Sequence, residues 1–185
     1  MAPDLSHRYF RALADLPHDR TAALDELEAC FLGGDPPGSL DGPTSGRLLA
    51  TTFGYGVDGI AVGLSRAWMP WTGKTFDAEA KDGRNLFTGG FRPIQRVLWP
   101  GVEIDDTGAG RTYATFPFIT WEGPSAFPAG GPDVLKIDYE HPQSPWLIRD
   151  ILDELVRIDD GLYLGQALLR VRGHLRRAAW FELRS

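Results

Sequence analysis

Leu155-Val156-Arg157-Ile158-Asp159-Asp160-Gly161-Leu162-Tyr163-Leu164-Gly165-Gln166-Ala167-Leu168-Leu169 is the stretch that decides the fold. Two apolar runs flank an Asp-Gly pair, and Asp-Gly supplies the positive φ angles of the primed turns that join paired strands. After Arg172-Gly173-His174 a third strand alternates through Ala179-Trp180-Phe181-Glu182-Leu183-Arg184. The C-terminus therefore reads as an antiparallel meander. A meander must hide its last edge, and closure into a barrel removes the edge altogether.

Working back from this end, short extended segments alternate with turns. They cover 68–76, 85–87, 95–99, 112–116 with 118–121, and 134–139. The breaks between them carry Asp82-Gly83, Pro100-Gly101, the run 106–110 and the run 122–132. Strands at this spacing predict an all-β sandwich or barrel occupying 67–185. Ser144-Pro145-Trp146 could begin a short helix over 145–153, because Leu147, Ile151, Leu152 and Leu155 recur at helical steps.

The N-terminal third is different. Tyr9, Phe10, Leu13 and Leu16 share a helical face, Pro17 stops that helix, and Asp19 caps a second. In the second, Ala23, Leu24, Leu27 and Phe31 form an apolar stripe that ends at Gly33-Gly34. A helical hairpin over 6–32 follows, expected to cover a sheet or one end of the barrel. Residues 33–46, dense in glycine and proline, read as an irregular crossing, either a lid or a plain surface connection. A short helix or strand near Arg47-Leu48-Leu49-Ala50 comes next.

The 185 residues are 43% hydrophobic, enough for one domain with one core. The formal charge of −6 argues against nucleic acid as a partner. Arg170, Arg172, His174, Arg176 and Arg177 read as the solvated face of a hairpin rather than an anion site. Cys30 is the single cysteine, so no disulfide can form within the chain, and its helical setting suggests a small buried hydrophobe. No run reaches the roughly 18–20 apolar residues of a membrane span. The first residues lack the apolar stretch of a signal peptide. The expectation is a soluble cytoplasmic protein, with a homodimer left open.

Four stretches together resemble a known family. They are Phe10-Arg11-Ala12-Leu13-Ala14-Asp15-Leu16-Pro17, Phe31-Leu32-Gly33-Gly34-Asp35-Pro36-Pro37-Gly38, Leu40-Asp41-Gly42, and Trp71-Thr72-Gly73-Lys74-Thr75-Phe76. In this order they resemble the GXWXG/DUF4334 proteins, and Arg157-Ile158-Asp159-Asp160 with Leu164-Gly165 is similar to that family's ending. Gly161-Leu162-Tyr163-Leu164-Gly165 also looks like other lipocalin-like bacterial proteins. The naming motif itself is not intact, since Phe31 and Gly33-Gly34 stand in its place. The resemblance implies a mainly β protein, an antiparallel calycin/lipocalin-like barrel with the helical hairpin in front. It implies no reaction.

The chemistry-bearing residues point to binding more than to catalysis. Trp71-Thr72-Gly73-Lys74-Thr75 matches only the tail of a phosphate-binding loop, and no Gly-x-Ser-x-Gly elbow occurs. His7, His18, His141 and His174 lack metal-ligand spacing, so neither metal nor cofactor is expected. The aromatics are abundant. Trp68, Trp71, Trp99, Tyr113, Phe118, Trp121, Tyr139 and Tyr163, with Lys74, are the candidate lining of a cavity for a hydrophobic or aromatic small molecule. Asp138, Glu140 and His141 offer proton carriers, and Arg92 and Arg96 could steady negative charge. These five would serve a cofactor-independent cyclase, isomerase or hydrolase acting in the same cavity, the alternative to a plain binding barrel.

Overall fold

The computed structural model describes residues 4–52, 70–107, 111–142 and 144–185. Two helices come first, α1 (Leu5–Asp15) and α2 (Arg20–Leu32). Asp19 caps α2 by accepting a hydrogen bond from the Ala22 N–H at 3.1 Å. The strands are β1 (Gly42–Thr51), β2 (Trp71–Asp77), β3 (Asp82–Thr88), β4 (Asp105–Asp106), β5 (Thr112–Pro124), β6 (Asp133–Asp138), β7 (Ile151–Asp159), β8 (Leu162–Val171) and β9 (His174–Arg184). Between them, among the described residues, lie two short helices, α3 (Arg92–Leu98) and α4 (Trp146–Arg149).

The sheet runs β3-β2-β1-β9-β8-β7-β6-β5-β4, and β3 also pairs with β5. That last pairing closes eight antiparallel strands into a barrel, as expected from the meander. The two hairpins at its C-terminus form where the turn residues place them. Asp160-Gly161 joins β7 to β8, with Gly161 at φ +63°, and Arg172-Gly173 joins β8 to β9, with φ +52° and +81°.

Alternation sorts each strand between two cores. Along β9, Ala179, Phe181 and Leu183 point into the barrel, whereas Trp180 points out. Tyr163, Ala167 and Leu155 lie inside, while Leu162, Leu164, Val156 and Ile158 lie outside. The outer core receives α1 and α2 through Tyr9, Ala12, Leu27, Cys30 and Phe31, so the hairpin lies on the barrel wall and does not cover an end. Phe10 is the exception to its apolar stripe. It is 46% exposed beneath the Arg184 guanidinium, because Ser6, Tyr9 and Ala12 form the buried face of α1. Cys30 is fully buried, which pushes its thiol up to about 11.

Three boundaries differ from the expectation. The crossing at 33–46 gives way to β1 at Gly42, so the barrel includes this earlier segment. The stretch 95–99 is helical rather than extended, as Pro93 in the first turn of α3 favours. The helix expected over 145–153 ends at Arg149, and β7 begins at Ile151. There the helical spacing of Leu147, Ile151 and Leu155 loses to pairing with β6 and β8.

One end of the barrel is where β2, β5 and β7 start and β3, β6 and β8 finish. Phe91, Trp99, Val102 and Ile104, which flank α3, pack against the interior there, as does Ile148 of α4. The hairpin tip at the same end leaves Arg170, Arg172, His174 and Arg176 exposed, as the sequence suggested, whereas Arg177 departs from that face, its side chain mostly buried and paired with Glu28 at 3.1 Å.

Candidate functional site

Beneath that covered end, Leu48, Trp71, Phe87, Phe116, Ile148, Ile151, Ala167 and Phe181 enclose a mostly apolar cavity. It offers about 40 Å³ to the centres of water-sized spheres. The interior rings fill much of the remainder. Phe76 packs on Phe118 at 5.5 Å, and Phe118 on Tyr139 at 5.6 Å.

The cavity's polar side is built from four strands. In β2 the inward positions fall to Lys74 and Phe76. Asn85 stands opposite Lys74 in the β2–β3 register. Tyr139 follows β6 two residues after the inward Ile137, and Asp153 pairs with that same Ile137 from β7. Around the closed ring, β2 and β7 are diametrically opposed, with three strands between them on either side. Lys74 therefore reaches across the barrel like a strut.

Its Nζ lies 2.8 Å from Asp153 Oδ2 and 3.0 Å from Asn85 Oδ1, and also bonds the Tyr139 hydroxyl. Tyr139 donates to Asp153 Oδ2 at 2.9 Å, and the Trp71 indole N–H donates to Asn85 Oδ1 at 3.1 Å. Lys74 is 2% exposed and Asp153 is 4% exposed. Four rings surround the ammonium, with centroids 5.0–5.5 Å away in Tyr139, Phe118, Trp71 and Phe181. Burial lowers the pKa of Lys74, and the Asp153 carboxylate partly offsets it. Burial, and then Asp153, raise the Tyr139 phenol well above its usual range. One atom of the cluster is left over. Asp153 Oδ1 is buried and has no hydrogen-bond partner among the described residues.

Two backbone features shape the lining. Phe116 has φ +52° at a bulge between the Arg84–Pro117 and Asn85–Thr115 pairs. Its ring turns onto Phe87 and Trp99, each at 5.6 Å. Gly165 leaves room for Phe181, since a Cβ there would stand 2.2 Å from the ring.

Of the residues the sequence singled out, Trp71, Lys74 and Tyr139 line the cavity. Tyr113, Phe118 and Tyr163 are buried in the interior, and Trp99 packs against it, without lining the cavity. Burial pushes the Tyr113 hydroxyl up to about 12, and it donates to Gln95 at 2.7 Å. Trp121 is 40% exposed. Trp68 lies outside the described residues.

The acid–base set is placed elsewhere. Asp138 accepts from the Glu140 N–H at 2.8 Å. Glu140 and His141 border a separate open groove with Trp146, Arg149, Asp150 and Arg170. Arg92 pairs with Asp106 at 2.7 Å and stacks over Tyr113, and Arg96 is exposed on α3. These five residues do not meet one another in the barrel cavity. Among the described residues, no three His, Cys, Asp or Glu side chains gather as a metal site, and no helix is long and apolar enough to cross a membrane.

Asn85 and Asp153 were missed by the sequence reading. The signal for Asp153 was available: a carboxylate between Ile151 and Leu155, at the same parity as both. No protein-family model and no curated protein matches the chain. Among solved structures, a crystal structure of a protein from Thermomonospora curvata is similar at a TM-score of 0.48 and 14% identity, covering 96% of this chain and 97% of that one.

Proposed function

We propose that the barrel binds a small, mainly apolar molecule, of single-ring size, whose polar end meets Lys74, Tyr139 and Asp153. The observation that carries this reading is the unpartnered Asp153 Oδ1 beside an apolar cavity. A buried carboxylate oxygen without a donor costs about 1–3 kcal/mol, and a ligand hydroxyl, amine or hydrated carbonyl would relieve it. The lining is apolar elsewhere, so the polar end fixes orientation while the rings supply contact area. The setting we infer is a single domain in the cytoplasm. A homodimer could meet on Ile119 and Trp121, which are exposed along β5.

A cofactor-independent cyclase, isomerase or hydrolase acting in the same cavity is the second reading. The contact of Lys74, Tyr139 and Asp153 favours it, since protons could move among them. The binding proposal is tested by titrating tryptophan emission with single-ring phenols and aryl alcohols, fatty acids and haem. Saturable quenching by the single-ring compounds, lost in Trp71→Phe, is the expected result. A flat response to every class would end the reading.

A further inference from the structure

We propose that Lys74 forms a covalent imine with a small aldehyde or ketone held in the barrel cavity. The inference rests on the binding reading above and names the ligand's reactive group. The chain has three lysines, Lys74, Lys81 and Lys136. Lys81 is exposed in the β2–β3 turn, and Lys136 lies on the outer wall, 3.6 Å from Glu154. Lys74 alone of the three borders the cavity.

Imine formation needs a free amine, a proton carrier on each side of the carbonyl, and little competing water. Burial lowers the pKa of the Lys74 ammonium, and Asp153, which partly offsets that, stands ready to take its proton. Asp153 Oδ2 and the Tyr139 hydroxyl both touch Nζ and touch each other. The apolar lining limits water, and the four rings would face an iminium as they now face the ammonium. Asn85 Oδ1, itself held by the Trp71 N–H, keeps Nζ in place.

The step balances within these groups. Asp153 takes a proton from the Lys74 ammonium, and the freed lone pair forms a C–N bond as the carbonyl π bond opens. Tyr139 protonates the resulting alkoxide and regains a proton from the nitrogen, leaving a neutral carbinolamine. Asp153 then returns its proton to the carbinolamine hydroxyl. The C–O bond breaks, water leaves, and an iminium remains paired with the Asp153 carboxylate. The net change is ammonium plus carbonyl giving iminium plus water, with no oxidant and no net proton. Asp153 Oδ1, now without a partner, is placed to accept from the hydroxyl or the departing water.

The test treats the intact protein with benzaldehyde and sodium cyanoborohydride near neutral pH and maps the reduced benzyl adduct on peptides. The adduct is expected at Lys74, saturable at one per chain, retained in Lys81→Arg and absent in Lys74→Arg. Labelling of Lys74 should exceed that of exposed Lys81, because burial lowers the Lys74 pKa and so frees more of its amine near neutral pH. The distribution over the wild-type lysines decides the matter even if Lys74→Arg fails to fold. Adducts confined to Lys81, Lys136 and the α-amine, or no preference for Lys74, overturn the proposal. Benzyl alcohol, with the same ring and no carbonyl, is titrated in parallel by tryptophan emission. If it binds while Lys74 stays unlabelled, the imine falls and the binding site stands. If neither compound engages the protein, both fall.

Discussion

Asp153→Asn keeps the side-chain shape and removes the charge that holds Lys74 protonated. The lysine is 2% exposed and loses the Asp153 carboxylate, at 2.8 Å. Breaking a buried pair by removing one partner costs about 3–5 kcal/mol. Nζ keeps the Asn85 and Tyr139 oxygens, so the lower end, about 3 kcal/mol, is expected at neutral pH. For a chain of this length that lowers the melting temperature by about 6–12 °C. Guanidinium unfolding followed by tryptophan emission should show a lower midpoint with an unchanged slope.

The pH dependence gives the sharper test. Burial lowers Lys74 below the unfolded-state value of about 10.4, so between the two values the unfolded chain binds more protons and stability rises with pH. Without Asp153 to offset the burial, that window extends downward. The variant should therefore recover part of its deficit relative to wild type as the pH rises toward that unfolded-state value. A deficit that is constant over that range, or absent, would refute the claim that Asp153 keeps Lys74 charged.

Phe181→Ala and Trp180→Ala test the parity of β9. Each should cost about 3–5 kcal/mol, but only Phe181→Ala should open the cavity to a two-ring phenol, read by fluorescence titration with 1-naphthol. The phenols of Tyr9, Tyr113 and Tyr139 are all raised by burial, so a spectrophotometric titration should leave these three protonated as the pH passes the ordinary tyrosine value of about 10. Because the native state then holds protons the unfolded chain has released, stability must fall as the pH rises above that value, and a melting temperature unchanged there would count against it. Tyr113→Phe strips the hydroxyl from fully buried Gln95 and should cost about 1–3 kcal/mol of unfolding free energy, with little change in ligand affinity.

The barrel was legible because its signals are local. Asp160-Gly161 and Arg172-Gly173 are both turn chemistry, and Ala179 through Leu183 alternates within one strand. The errors came where local signals conflict with pairing. Leu147, Ile151 and Leu155 fit a helix, yet Ile151 and Leu155 share a strand face with Asp153. That helical reading hid the acid which completes the site. Val97-Leu98-Trp99 suggested a strand, and Pro93 was the overlooked sign of a helix start. Asn85 could not be found from the sequence at all. Its role depends on the register that sets it opposite Lys74, and register is fixed by distant pairing partners. The bulge that turns Phe116 inward shows the same dependence on a partner strand.

A second buried polar network clarifies what the first is for. Glu154, fully buried on the outer wall, accepts from Ser125 at 2.6 Å, the Ala126 N–H at 2.7 Å and Gln166 at 2.8 Å. Arg177 extends it from Gln166 to Glu28 on α2. Every member ties a loop or helix to the barrel, and both Glu154 oxygens are satisfied. The Lys74 cluster differs. It holds Tyr139 just past the end of β6, but it borders the cavity and leaves Asp153 Oδ1 without a hydrogen-bond partner among the described residues. A barrel that needed only filling would gain from apolar side chains there, since replacing a buried ion pair by hydrophobes of similar volume is often neutral or stabilising by about 1–4 kcal/mol. Lys74→Met with Asp153→Leu should accordingly match or exceed wild-type stability while losing both ligand binding and the benzyl adduct. A double variant that keeps binding would mean that the strut across the barrel is structural and that the ligand is held by the rings alone.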